Sequence, residues 1–229
     1  MSRLRYKTLR ENVADEIRTR IMNQEYVPGM RIIEQNLSEE LGVSRGPIRE
    51  ALRQLEREGL LTYERNVGCS ISSLDINDVY EIYLMRSTYE ILAVRSYGGR
   101  FTESEFRRME SVLERMRKLE PNDFQGVVEC DQEFHGIIIQ KSGMKRLHKA
   151  WEDLNYGSYL AVKNGGVYKD KLHERQYNIH RILLDSLKTG DLDLILKTIE
   201  SHYMDAVSQM KREASAEYRV QTGCTSEAG

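Results

Sequence analysis

The 229-residue chain is short of several things, and each shortage closes off a class of protein. Its three cysteines, Cys69, Cys130 and Cys224, are few, odd in number and far apart. That excludes a disulfide framework and a cysteine-based zinc finger, and it fits a reducing compartment. Only three prolines leave long stretches free to be helical. No apolar run approaches the ~20 residues that a membrane span requires. The basic start, Met1 to Arg10, has no apolar segment behind it and so does not read as a secretory signal. The expectation is a soluble, cytoplasmic protein with no membrane partner. Net charge is also scarce, because 34 Lys+Arg against 36 Asp+Glu leave −2. Residues 1–74 carry 12 Lys+Arg against 11 Asp+Glu, so any nucleic-acid contact there must come from a focused patch.

What the chain does have is 40% apolar and 31% charged residues, ordinary for a globular protein of one large or two smaller domains. The first seventy residues read as short, punctuated elements. Leu9, Val13, Ile17 and Ile21 recur every four residues, the apolar face of a first helix. After Pro28-Gly29 a second helix is expected over about Glu34 to Leu41, closed by Gly42 in the left-handed conformation. Ser44 is placed to cap a third helix with Pro47 in its first turn, Ile48, Leu52 and Leu55 inward, and Gly59 after its end at about Glu58. Leu60 to Tyr63 and Cys69 to Ser72 then look like two short strands around a turn containing Asn66 and Gly68.

Three helices and a hairpin make a winged helix-turn-helix. Beyond Asp75 the texture changes to amphipathic helices, expected over about 76–98, 103–118, 124–142, 145–164, 169–189 and 192–213, with a frayed tail. Thr102 to Glu105 has the spacing of a capping box. The fold class is therefore mainly α, with a winged helix-turn-helix DNA-binding domain over 1–73. An all-helical body is expected over 74–229.

Arg45, Arg49, Arg53 and Arg57 form one stripe along the third helix. On an arbitrary helix that would be a solvated face paired with Glu50 and Glu56. Here it opens straight after a tight turn that presents the helix N-terminus outward, as a recognition helix requires. Arg45 and Arg49, nearest that end, are expected to read bases, since the guanidinium fork suits the O6/N7 edge of guanine. Ser44 and the backbone at Gly46 would meet phosphate, and Arg65 and Asn66 at the hairpin tip the neighbouring groove. Arg53 and Arg57 are expected to be structural or salt-bridged.

Pro28-Gly29-x-Arg31, the run Leu37 to Leu52 and Leu55-Glu56-Arg57-Glu58-Gly59-Leu60 together resemble the head of a GntR-family transcriptional regulator. The resemblance implies homodimers on short pseudo-palindromic operators. It adds Arg31 and Gly68 to the DNA-binding set of Ser44, Arg45, Gly46, Arg49, Arg65 and Asn66. An arginine that some members use near the start of the second helix corresponds to Gln35 here.

In the body, Asp131 and His135 stand four residues apart on one helix face, with His180 and His202 in the last two helices. A lone helical histidine is more often a surface or satisfied core residue. Three imidazoles and a carboxylate on facing helices suit a divalent metal, zinc first, with nickel, manganese or iron also suited. The segments around Asp131-x-x-x-His135, Asn178 to Leu183 and Ser201-His202 resemble the C-terminal effector domain of the FadR subfamily. That resemblance implies a metal held by Asp131, His135, His180 and His202 and completed by the carboxylate of a small organic acid. Arg86, on the first body helix, would clamp that carboxylate; the alternative is a buried ion pair with Glu90. Tyr156 and Asn178, with Asn155 and Tyr159, would line the cavity or simply pack, and His148 and His173 are read as surface residues.

The expected function is a ligand-responsive regulator, a repressor. One rival is a helical metal-dependent hydrolase with a DNA-targeting head, but the sequence has no HExxH pair, P-loop or nucleophile elbow, and Glu133 points away from Asp131. Another is a purely structural metal and dimerisation body.

Overall fold

A computed structural model describes residues 7–22, 25–65, 68–73, 75–121, 123–154 and 172–222. The chain forms two compact units, Met1–Ser73 and Leu74–Gly229.

In the first unit, α1 (Leu9–Met22) packs on α3 (Arg45–Arg57), with α2 (Glu34–Leu41) between them in sequence. Val13, Ala14, Ile17 and Ile21 are buried from α1, and Ile48, Ala51, Leu52 and Leu55 from α3. Leu9, expected on the same face, is 58% exposed, because the helix begins there and its first turn overhangs the partner. Arg18 donates to both carboxylate oxygens of Glu58 at 2.8 Å, tying α1 to the end of α3. The turn between α2 and α3 is locked by Gly42, at φ 62°, ψ 28°, and by the Ser38 hydroxyl donating to the Val43 carbonyl at 2.7 Å.

Three antiparallel strands, β1 (Arg31–Ile32), β2 (Leu61–Glu64) and β3 (Gly68–Ile71), lie in the order β1-β3-β2. Arg31 pairs with Ser70 and Tyr63 with Cys69. β1 was not expected: two residues are too few to show an alternation.

The second unit contains, among its described residues, α4 (Ile76–Tyr97), α5 (Glu103–Arg117), α6 (Phe124–Lys141), α7 (Lys145–Glu152), α8 (Leu172–Thr189) and α9 (Leu192–Thr222). Asp75 caps α4 in a capping box with Asp78, and the expected Thr102–Glu105 box caps α5. Phe134, Ile138, Leu183, Leu184, Leu187, Ile195 and Ile199 are fully buried with Met109 and Met116 of α5 in one core. α4 lies against α6 and α9, and α5 against α6 and α8.

Two boundaries differ from expectation. α7 ends at Glu152 rather than near 164, and residues 155–171 lie outside the described segments. α9 runs to Thr222, past the expected end at 213, because no glycine or proline interrupts it before Gly223.

At Gly126, in the first turn of α6, an added Cβ would lie 2.5 Å from Asp123 Oδ2 and 2.7 Å from Leu119 Cδ2. Asp123 caps the helix by accepting from Gly126 N at 2.8 Å, so making room would spoil the cap. A helical glycine-to-alanine change normally gains up to about 1 kcal/mol. Gly126→Ala should instead lose about 1–2 kcal/mol, read as a lower urea midpoint at unchanged slope.

Candidate nucleic-acid interface and metal centre

The N-terminus of α3 is open. Ser44 sits at the N-cap in extended conformation, yet its side chain makes no capping hydrogen bond, contrary to expectation. Pro47 brings no N–H, so the first-turn donors at Arg45 and Gly46 stay clear of a side-chain cap. Nothing lies within 4 Å of the position a Gly46 Cβ would take, which leaves this backbone accessible. Arg45, Arg49, Arg53 and Arg57 are all exposed.

Arg49 Nε donates to Glu34 Oε2 at 2.7 Å, and Arg45 Nη2 to Gln35 Oε1 at 3.3 Å. Glu34 is a contact that sequence reasoning missed, since fifteen residues separate it from Arg49. Arg53 and Arg57, expected to be structural or salt-bridged, have no ion pair among the described residues, and the alternative pairing of the stripe with Glu50 and Glu56 is absent there too. Helical spacing placed those carboxylates near the stripe without bringing them onto it. Arg31 on β1 and Arg65 after β2 are exposed, and Gly68 opens β3 at φ 103°, a conformation that favours glycine. Asn66 lies outside the described residues.

In the second unit three helices bring four side chains together. His135 on α6 has its Nε2 3.2 Å from His180 Nε2 on α8 and 3.2 Å from His202 Nε2 on α9. Asp131, one turn before His135, puts Oδ1 3.2 Å from His180 Nε2 and 3.7 Å from His135 Nε2. His135 and His180 are fully buried, and the Asp131 side chain is 24% exposed.

The partners behind the rings set the tautomers. His135 Nδ1 meets Glu90 Oε2 at 2.8 Å, and His180 Nδ1 meets the Gln176 carbonyl at 2.7 Å. Both acceptors call for a proton on Nδ1, so each ring in its neutral form turns an Nε2 lone pair inward. Burial, followed by the neighbouring His180 and His135, holds the His202 imidazole well below its ordinary pKa. Lone pairs at this spacing repel unless a cation or a shared proton sits among them. Donor atoms around an ion with bonds of about 2.0–2.2 Å stand roughly 3–3.5 Å apart, so the donor set fits a divalent metal.

Glu90 is wholly buried and gathers donors from three other helices. Besides His135 it accepts from Trp151 Nε1 at 3.3 Å and from the Tyr203 hydroxyl. Burial, with Glu90 and Asp131 nearby, pushes the Tyr203 phenol well above its usual range, so it remains a donor. Arg86, also wholly buried, lies 4.8 Å from the Trp151 ring centroid and donates to Tyr203 Oη at 3.3 Å. It pairs with Asp131 Oδ2 at 3.4 Å, a partner other than the Glu90 that the sequence offers as the alternative to its effector-clamp role. Burial alone would raise the Asp131 carboxyl, but positive charge shared through His135 and His180, with the Arg86 guanidinium, outweighs it and holds it well below the usual carboxylate range.

Other expectations fare differently. Asn178 is exposed, two residues and so about 200° around α8 from His180, and does not join the cluster. Tyr156, with Asn155 and Tyr159, lies outside the described residues. His173 is buried rather than at the surface, because the first turn of α8 packs inward. His148 is half-buried and stacks on Trp151. Glu133 is drawn away to Arg115 at 2.5 Å, which leaves it no place as a base beside the cluster. His202 also lines a groove of about 370 Å³ between α8 and α9, together with Arg175, Ser201 and Arg212. No helix among the described residues is long and apolar enough to cross a membrane.

Comparison with known proteins agrees with this architecture. Residues 9–71 match the family described as bacterial regulatory proteins, gntR family, and residues 81–205 match the FCD domain. The chain is 36% identical over 143 residues to an uncharacterized HTH-type transcriptional regulator, YdhC, of Bacillus subtilis, covering 62% of this chain and 64% of that protein. It is 27% identical over 204 residues to the gluconate operon transcriptional repressor of Bacillus licheniformis, covering 87% and 84%. Among solved structures, Escherichia coli McbR/YncC superposes with TM-score 0.73 at 20% identity, covering 91% of this chain and 100% of that one. These relatives are transcriptional regulators and not enzymes. The chain belongs to the GntR family of bacterial regulatory proteins, with a helix-turn-helix head followed by an FCD domain.

Proposed function

We propose that the chain is a cytoplasmic, homodimeric repressor whose body binds a divalent metal and a small carboxylate effector. The observation that carries this reading is the convergence of three imidazole Nε2 atoms and the Asp131 carboxylate in the interior of the FCD domain.

At the operator, Arg45 and Arg49 read base edges from the first turn of α3, while the Ser44 hydroxyl and the open backbone at Gly46 hold phosphate. Arg31, Arg65, Asn66 and Gly68 extend that contact along the wing. Two copies related by a two-fold axis meet two half-sites of a pseudo-palindrome.

In the body, Asp131, His135, His180 and His202 hold the metal, zinc first among the ions that suit this donor set, with nickel, manganese or iron as alternatives. Once bound, the ion supplies a Lewis-acidic centre for a carboxylate. Glu90 fixes the His135 ring behind it, and Arg86 places a buried positive charge beside Asp131. The groove that His202 lines, with Arg175 on its wall, gives an anion a way in. Relatives named for gluconate operons, whose sugar acid is a small carboxylate, favour the same class of effector. Tyr156 keeps its expected role as an effector contact; Asn178, on the exposed side of α8, does not. The effector alters operator affinity only through its different affinity for two arrangements of the protein, a coupling of about 1–3 kcal/mol.

Arg49→Ala should weaken operator binding by about 1–3 kcal/mol and relax base preference, measured as the ratio of operator to random-duplex affinity. Equal losses on both would make Arg49 a phosphate contact only. His180→Ala should lower metal content, by atomic emission, and the calorimetric affinity for a panel of small carboxylates together. Wild-type values for both would overturn the site. Glu90→Gln should cost roughly 10–100-fold in metal affinity by chelator competition, since it weakens the acceptor that orients His135.

A further inference from the structure

The first turn of α2 reaches over to the first turn of α3. Neighbouring residues of one helix accept from the two arginines nearest the N-terminus of the other: Glu34 from Arg49 Nε at 2.7 Å and Gln35 from Arg45 Nη2 at 3.3 Å. Gln35 is steadied in turn by donating to Glu39 at 3.0 Å. Among the described residues neither arginine has another partner.

An arginine carries five N–H donors. Arg49 spends Nε on Glu34, and the terminal Nη1/Nη2 fork, the part that matches guanine O6 and N7, stays available. The pair sits at the rim, with Arg49 56% and Glu34 34% exposed, so the fork does not have to leave a buried site to meet DNA.

We propose that Glu34 is a specificity-determining positioning residue: it holds the inner edge of the Arg49 guanidinium so that the outer fork is aimed before DNA arrives. The inference rests on the reading of α3 as the base-reading element. Two effects then act in the same direction on discrimination. Holding a long side chain in one rotamer beforehand is worth roughly three- to tenfold in affinity for the right base. The Glu34 carboxylate meanwhile repels phosphate on DNA of any sequence, which weakens the nonspecific competitor. A carboxylate beside a DNA-reading arginine thus sacrifices total affinity for selectivity.

The test is selection from a randomised double-stranded DNA library by the full-length protein and its Glu34→Ala, Glu34→Gln and Arg49→Ala variants, with thermal melts to establish folding. Wild type should enrich a two-fold symmetric motif, and Arg49→Ala should lose a guanine preference in each half-site. Glu34→Ala should flatten that same position roughly three- to tenfold while binding random duplex at least as tightly as wild type. Glu34→Gln keeps a carbonyl oxygen where Nε is held and should retain most of the preference. Glu34→Ser, also too short to reach Arg49, replaces the alanine variant if that one does not fold.

Equal flattening by Ala and Gln would reduce Glu34 to a charge and overturn the proposal, as would an unchanged motif in both. If Arg49→Ala itself leaves the motif intact, the base-reading assignment of Arg49 falls, and Glu34 falls with it. A wild-type protein that enriches no motif would remove the operator-reading function altogether.

Discussion

Lone pairs that face each other across a little over 3 Å need a positive charge between them, and this constraint organises the interior of the helical body. His135 and His180 are each pinned from behind by an acceptor, so neither can rotate its Nε2 out of the shared space without breaking a buried hydrogen bond. Trp151 and Tyr203 donate to the pinning carboxylate, Arg86 links Tyr203 to Asp131, and Asp131 completes the inward set. The chain thus builds a pocket of concentrated electron density inside an apolar core of leucine, isoleucine and phenylalanine. Such density is tolerable only where positive charge, whether a shared proton or a bound cation, sits within it.

The head obeys a complementary logic. There the helix end that matters is left without a side-chain cap, where α4 and α5 each carry a complete capping box. Unsatisfied N–H groups at the start of α3 cost little in water and are ready to donate to an anion. The same segment draws two arginines into contact with α2, so the surface is both under-bonded in its backbone and ordered in its side chains.

Much of this was legible in the amino-acid order. The Gly42 turn, the inward faces of α1 and α3, the capping box at Thr102 and the Asp131/His135 pair follow from local spacing, which a helix converts directly into direction. What spacing could not supply were contacts made across the fold. Glu34 meets Arg49 through the packing of α2 on α3, and Trp151 and Tyr203 reach Glu90 from 61 and 113 residues further along the chain. Asn178 failed for the opposite reason: it neighbours His180 in sequence, but a helix sends residues two apart to different sides. His173 was misjudged because nothing around it in sequence announces that the first turn of α8 is covered.

Glu90 has a consequence for how the body comes into being. Its donors arrive on α6, α7 and α9, segments up to 113 residues away in the chain. Without those donors the bundle would bury a polar group with no hydrogen-bond partner, a cost of about 1–3 kcal/mol. One acidic side chain thereby couples the burial of four helices that lie far apart in the sequence.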